Sequence, residues 1–272
     1  MSNIASQHAI DSRAGQPLKV LLAEDNLTNQ KLAVAILEKQ GHRLTVVGDG
    51  RQAVHSFERE TFDLVLMDMQ MPDMDGLEAT AEIRTIEKRT GTHIPIIALT
   101  ANAMIGDRER CLKAGMDDYL SKPLRADDLF AMIHRLTAHI QRAPSIPLAD
   151  TSTEAPVNDV FDYDASVQQV GDDPELLTQL VAVFLEQLPQ LLPPLATAVA
   201  NSDAKAIRQT AHALTSSVSV IAATRTKNIA RKLELMGLNS DLATVETTHA
   251  ELLAEFVHLQ QVLSSTPSLK AA

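Results

Sequence analysis

An acidic pair at Glu24 and Asp25, a lone acid at Asp68, a hydroxyl at Thr100 and an amine at Lys122 each stand at the end of a short apolar run. Three carboxylates brought together repel one another unless a divalent cation joins them, and a hard oxygen site with open water positions suits Mg²⁺. The cation and the ammonium of Lys122 together neutralise a phosphoryl group. Asp68 is then the nucleophile, because a carboxylate attacking phosphorus needs alignment and charge neutralisation more than it needs a general base. Thr100 is placed to donate a hydrogen bond to a phosphoryl oxygen. A second group suited to the same chemistry lies far along the chain, at His212 in "TAHALTSSVS". An exposed imidazole, partly neutral at pH 7, accepts a phosphoryl group with no activation beyond orientation.

What positions the first set is an alternation of apolar runs and amphipathic stretches from Leu18 onward: "LKVLLAED", "LTVVGD", "DLVLMDM", "IPIIALT" and "DYLSK". Five such units predict an α/β domain over residues 18–141, a doubly wound parallel sheet with helices on both faces. "KVLLA", "DLVLM" and "PIIAL" are apolar at almost every position, as strands covered on both faces must be. In an open parallel sheet chemistry gathers at the carboxyl ends of the strands, and there Glu24, Asp25, Asp68, Thr100 and Lys122 fall. Either an aspartate or a lysine alone reads as a cap or a turn charge; five suitable groups on one edge do not. "DMDG" at Asp73 to Gly76 resembles the start of a haloacid-dehalogenase phosphatase site, but its first aspartate follows Pro72 instead of ending a strand, so a loop is expected there. A calcium loop fails too, for want of its closing glutamate.

Residues 142–159 hold Pro144, Pro147 and Pro156 among small polar and acidic residues, which predicts a linker. Beyond it the period is wholly helical. Leu177, Leu180 and Phe184 open one stripe, and Val245, Leu252, Phe256, Leu259 and Leu263 form a late one, so residues 160–263 are expected to be an all-α, four-helix bundle. With Ser202 or Asp203 as cap, Ile207, Ala211, Leu214, Val218 and Ile221 make the buried stripe of the helix that carries His212. At 3.6 residues per turn His212 lies roughly 140° from the centre of that stripe, beside Arg208 and Ser219 and near Ser216, and is expected to face solvent.

The net charge of −11 argues against nucleic acid or an anionic membrane as partner, since both call for clustered Lys and Arg. Trp is absent and Cys111 is the single cysteine, so neither a disulfide framework nor a thiolate metal site is expected, and a reducing, cytoplasmic setting fits. No segment reads as a membrane span, and residues 1–17 and 264–272 read as flexible tails.

The stretches "LLAEDNLTNQ", "DLVLMDMQMPDMDGLEAT", "PIIALTANAM" and "GMDDYLSKPL" resemble the receiver domain of two-component response regulators, particularly receivers attached to hybrid histidine kinases. The resemblance implies a flavodoxin-like sheet in the order 2-1-3-4-5. It also implies that Asp68 is the phosphoacceptor, that Glu24, Asp25, Asp68 and the Gln70 carbonyl hold Mg²⁺, that Thr100 and Lys122 read the phosphoryl group, and that Tyr119 moves with Thr100. The region from "DDPELLTQLV" to "NIARKLE" resembles a histidine phosphotransfer (HPt) domain, which implies that His212 carries phosphate between receivers. Where that family usually reads His-x-Leu-Lys-Gly-Ser, this chain has Thr215 and Ser216 for the Lys and Gly. A charge is thereby lost and a Cβ added, and Arg208 one turn earlier supplies part of the charge.

Two functions fit these residues. In one, a soluble phosphorelay protein takes phosphate from a histidine kinase onto Asp68, and His212 relays it to a downstream receiver. In the other, His212 is inert and the bundle is a docking module. The expected register of His212 favours the first; Thr215 and Ser216 favour the second. No Gly-rich nucleotide loop or kinase core is present in the sequence, so the phosphoryl group must come from a partner or a small acyl phosphate. A metal phosphohydrolase lacks a base for water.

Overall fold

The computed structural model describes residues 17–101, 105–138 and 160–269. It separates into two compact units. The first is a five-stranded parallel sheet built from β1 (Lys19–Ala23), β2 (Arg43–Val47), β3 (Leu64–Asp68), β4 (Ile96–Thr100) and β5 (Asp118–Ser121). The strand order is β2-β1-β3-β4-β5. Between and after the strands lie α1 (Leu27–Glu38), α2 (Gly50–Arg59), α3 (Gly76–Thr90), α4 (Ile105–Ala114) and α5 (Ala126–Ala138).

β3 and β4 are buried at every position, which accounts for their unbroken apolar sequences. On one face Leu21, Ala23, Val65, Met67, Ile96 and Ala98 pack with Ala53, Val54 and Phe57 of α2, Ala79 and Ile83 of α3, and Cys111 of α4. Alternation turns Val20, Leu22, Leu64, Leu66, Ile97 and Leu99 to the opposite face, where the right-handed crossover from β1 back to β2 sends α1. The order reverses at β1, so the connections leaving β1 and β3 diverge and open a crevice at their carboxyl ends. That crevice is where Glu24, Asp25 and Asp68 fall.

The second unit holds α6 (Tyr163–Gln169), α7 (Pro174–Ala200), α8 (Ala204–Val220), α9 (Thr224–Asn239) and α10 (Val245–Ser265), followed by a 3-10 turn at Pro267–Leu269. Asp162, Asp173 and Asp203 cap α6, α7 and α8, each side chain accepting from a backbone N–H three residues on, so the sequence's cap for the histidine helix is Asp203. The four long helices close a ring, α7 on α8, α8 on α9, α9 on α10 and α10 on α7. The stripes named in the sequence line its interior: Leu177, Leu180, Phe184, Ile207, Ala211, Leu214, Val218, Ile221, Leu252 and Leu259 are all fully buried. Phe184 and Phe256 stack with centroids 6.3 Å apart. The short α6 serves the end of α8. Ser166 Oγ donates to Ile221 O at 3.0 Å, and Gln169 Nε2 donates to Ser219 O and Val220 O at 2.7 Å each, satisfying carbonyls that a helix C-terminus leaves open.

Two expectations need correction. α10 and the turn after it continue through Leu269, so ordered structure reaches into the stretch expected to be a tail from residue 264. Among the described residues α7 is, by length and composition, long and apolar enough to cross a membrane, because Leu, Val and Ala fill it; its Leu177, Leu180, Phe184 and Leu195 are buried in the bundle. Its internal prolines, Pro189, Pro193 and Pro194, lie on its exposed side. The expected linker at 142–159 lies outside the described residues, as do residues 1–16 and 270–272.

Candidate functional site

Glu24 and Asp25 follow β1 directly, and Glu24 extends its ladder by donating its N–H to Val47 O at 3.0 Å. Asp68 and Thr100 are the last residues of β3 and β4. Lys122 comes immediately after β5, and its N–H donates to Thr100 O at 2.7 Å. The sheet's register therefore brings all five sequence-selected groups to one rim. One carboxylate oxygen from each of Glu24, Asp25 and Asp68 lies within 4.8 Å of the other two.

Lys122 Nζ stands between two of these acids, 2.6 Å from Glu24 Oε2 and 2.6 Å from Asp68 Oδ2. All three side chains are at most 5 % exposed. Burial pushes the Glu24 carboxyl up to about 8; Lys122 pulls it back, and Asp68 and Asp25 add to the rise. Burial alone would lower the Lys122 ammonium, but Asp68 and Glu24 outweigh it and hold its pKa above the usual lysine range. The one buried ammonium offsets part of the rim's negative charge. The donor set is all oxygen and compact, which fits a hard divalent cation, and such an ion would share with the ammonium the task of offsetting the acids.

The loop after β3 is shaped by close approach. A Cβ on Gly76 would sit 2.0 Å from Asp68 O, so only glycine lets α3 begin against the strand end. Asp75 caps α3 in a capping box with Glu78, and Asp73 takes a left-handed φ of 62°, so "DMDG" is loop and cap, as its position after Pro72 suggested. Gln70 N–H donates to Asp68 Oδ1 at 3.1 Å, which places Gln70 two residues along the same loop. Tyr119 pairs with Ala98 in the β4–β5 register and packs against the core on that face. Thr100, two residues beyond Ala98, points to the same side, so hydroxyl and ring occupy one face of neighbouring strands.

In the helical unit His212 is not the free surface side chain that its angle on α8 suggested. Its Nδ1 lies 3.0 Å from Glu234 Oε1, and the second oxygen of Glu234 accepts from Arg231 Nη1 at 2.8 Å. Burial by itself would raise the Glu234 carboxyl; the hydrogen bond and charge of His212, with Arg231 adding to them, hold it below the ordinary carboxylate range. An ionised Glu234 only accepts, so the imidazole donates from Nδ1 and a neutral ring keeps its lone pair on Nε2. Nε2 has no hydrogen-bond partner among the described residues.

Glu234 escaped the sequence reading because a bonded pair on two helices leaves no spacing to find. A signal existed. α9 carries Arg225, Lys227, Arg231 and Lys232 and only one acid, set in the register of buried Ala230, Leu233 and Gly237. A carboxylate at a buried position of a basic helix needs a partner from elsewhere.

The chain matches the family described as response regulator receiver domain over residues 20–134 and that described as Hpt domain over residues 179–264. Among curated proteins, sensor protein GacS of Pseudomonas syringae pv. syringae is 34 % identical over 79 % of this chain and 24 % of its own length. Hybrid signal transduction histidine kinase I of Dictyostelium discoideum is 46 % identical over 49 % of this chain and 8 % of its own. The chain thus spans about a quarter or less of these relatives. Among solved structures, the receiver domain of sensor histidine kinase PA1611 from Pseudomonas aeruginosa PAO1, with a magnesium ion coordinated in its active-site cleft, is 49 % identical. It covers 44 % of this chain and 97 % of that one, with a TM-score of 0.41. The co-crystal structure of the Saccharomyces cerevisiae histidine phosphotransfer protein Ypd1 with the receiver domain of Ssk1 matches at 31 % identity over 45 % of this chain and 90 % of that one, with a TM-score of 0.43. The chain belongs to the two-component phosphorelay proteins, and joins a response regulator receiver domain to an Hpt domain.

Proposed function

We propose that Asp68 takes a phosphoryl group from the phosphohistidine of a histidine kinase, and that His212 passes one onward to a downstream receiver. The observation that carries the first half is Lys122 Nζ, held 2.6 Å from both Glu24 and Asp68. A buried ammonium between two carboxylates is a cation already in place, ready to turn to an anion that arrives on Asp68. We assign Glu24, Asp25, Asp68 and the Gln70 carbonyl as the groups that hold Mg²⁺, which when bound neutralises charge on the transferring phosphoryl group. An Asp68 carboxylate oxygen attacks phosphorus, the bond to the donor nitrogen breaks, and Lys122 and Thr100 bind the new oxygens. Tyr119, on the face that Thr100 shares, follows the hydroxyl as it turns.

For His212 the Nδ1–Glu234 hydrogen bond favours relay over an inert docking role, because it fixes the ring and leaves Nε2 as the nucleophile. The Nε2 lone pair attacks phosphorus of an aspartyl phosphate, the bond to the carboxylate oxygen breaks, and the proton stays on Nδ1 against Glu234. Arg208, one turn before His212, adds positive charge near the incoming group. A single cysteine with no disulfide framework suits a reducing setting, and we assign the chain to the cytoplasm.

The test is transfer from a phosphorylated histidine kinase to the wild type, Asp68→Asn and His212→Gln, with the label then exposed to acid and to base. Acyl phosphate is lost in base and phosphohistidine in acid. Label on wild type that is base-labile and missing from Asp68→Asn is the expected result. An acid-labile fraction that His212→Gln leaves unchanged would place the relay elsewhere, and its absence under all donors would leave the bundle a docking module.

A further inference from the structure

α8 carries five hydroxyl side chains, and four turn back onto their own helix. Thr210 Oγ1 donates to Ala206 O at 2.8 Å, Thr215 Oγ1 to Ala211 O at 2.8 Å, Ser217 Oγ to Ala213 O at 2.9 Å and Ser219 Oγ to Thr215 O at 2.7 Å. This is the ordinary resting place of a hydroxyl inside a helix, the carbonyl four residues back. Ser216 is the exception: its Oγ makes no such bond to His212 O and has no hydrogen-bond partner among the described residues. The other polar atom on α8 left in that state is His212 Nε2. Residues four apart share a helix face, and a helical side chain leans toward the turn before it, so Ser216 leans toward His212. Two unpartnered polar atoms therefore stand one turn apart on one face. One is a lone pair and the other a hydroxyl free to donate.

We propose that Ser216 is a phosphoryl-binding residue of the His212 site, its hydroxyl donating to an oxygen of the group carried on Nε2. This rests on the relay reading of His212. The phosphoryl oxygens are strong acceptors, and a hydroxyl that has no competing bond loses nothing in turning to them. The residue that narrows approach to His212 by its Cβ thus also returns a polar contact. Thr215, beside it in sequence, cannot serve in the same way while its hydroxyl is held by Ala211 O.

The experiment uses the whole chain carrying Asp68→Asn, so that label reports His212 alone, with ³²P-phosphoramidate as the probe. Loading forms the Nε2–P bond, breaks the P–N bond of the donor and releases ammonia. Loading rate and the half-life of the phosphohistidine are compared for this parent and for added Ser216→Ala, Ser216→Gly or Thr215→Val. Loss of one hydrogen bond to a charged group should slow loading and shorten the half-life about tenfold in both Ser216 variants. Thr215→Val, whose hydroxyl is already spent, should keep both within about twofold. Unchanged kinetics in Ser216→Ala, or faster loading in Ser216→Gly than in the parent, would overturn the proposal and leave the side chain a steric element. Absence of acid-labile label from the parent, or its persistence when His212→Gln is added, would overturn the relay reading instead.

Discussion

Gly237 of α9 meets Arg208 of α8 backbone to backbone: a Cβ on Gly237 would lie 2.6 Å from the Arg208 nitrogen and 2.6 Å from Ala204 O. No side chain separates the two helices there. Glu234 stands one turn before Gly237 and His212 one turn after Arg208, and the approach at Gly237 is what brings a glutamate within 3.0 Å of the imidazole. The arrangement around His212 thus begins at a position with no side chain of its own.

Replacing Gly237 by Val should therefore force the helices apart, cost about 2–3 kcal/mol of stability in the helical domain, and break the His212–Glu234 hydrogen bond. Denaturant titration checks the first expectation. The imidazole ¹⁵N shifts check the second, by showing both tautomers where the wild type has Nδ1–H.

Glu234→Gln keeps the shape and removes the charge, so His212 loses the partner that favours the charged ring of the phosphorylated product. Loading of His212 should fall about tenfold to a hundredfold with the fold intact, measured by phosphotransfer beside circular dichroism.

The same carboxylate makes stability depend on pH. Glu234 titrates below its ordinary 4.5 in the folded chain, so the folded state binds fewer protons than the unfolded one in that window. Its contribution is fully present above 4.5 and is lost as pH falls through the lower folded value. Unfolding midpoints of wild type should drop over this acid range, and Glu234→Gln should flatten the drop.

Lys122→Met removes the cation that stands between Glu24 and Asp68. Divalent metal should then bind several-fold more tightly, since no ammonium has to give way, while phosphorylation no longer shifts Tyr119. Calorimetric titration with Mg²⁺ and tyrosine fluorescence after treatment with acetyl phosphate measure the two effects. Metal affinity equal to wild type would show that Lys122 does not compete for the site.

Phosphate should reach Asp68 only with divalent metal present, and Asp68→Ala should take up none from any donor. Uptake by wild type in excess chelator at the metal-loaded rate would contradict the role given to the acidic rim.

The alternating apolar runs determined the first domain almost completely. In a parallel sheet buried on both faces, each strand declares itself by hydrophobicity, and each strand end falls at the same edge, so Glu24, Asp25, Asp68, Thr100 and Lys122 could be gathered from spacing alone. The helical stripes did the same for the bundle's core, because a period of 3.6 reports which face of one helix is buried. That period is silent about what another helix lays across the remaining faces. His212 read as free because its own helix leaves it free; Glu234 reaches it from α9, 22 residues away. Nor does spacing tell where a proton or hydroxyl points. That Lys122 rests between two acids, that Nδ1 is the protonated nitrogen, and that Ser216 alone among its neighbours leaves the helix backbone unbonded were all decided by tertiary packing, which sets partners that sequence separation does not record.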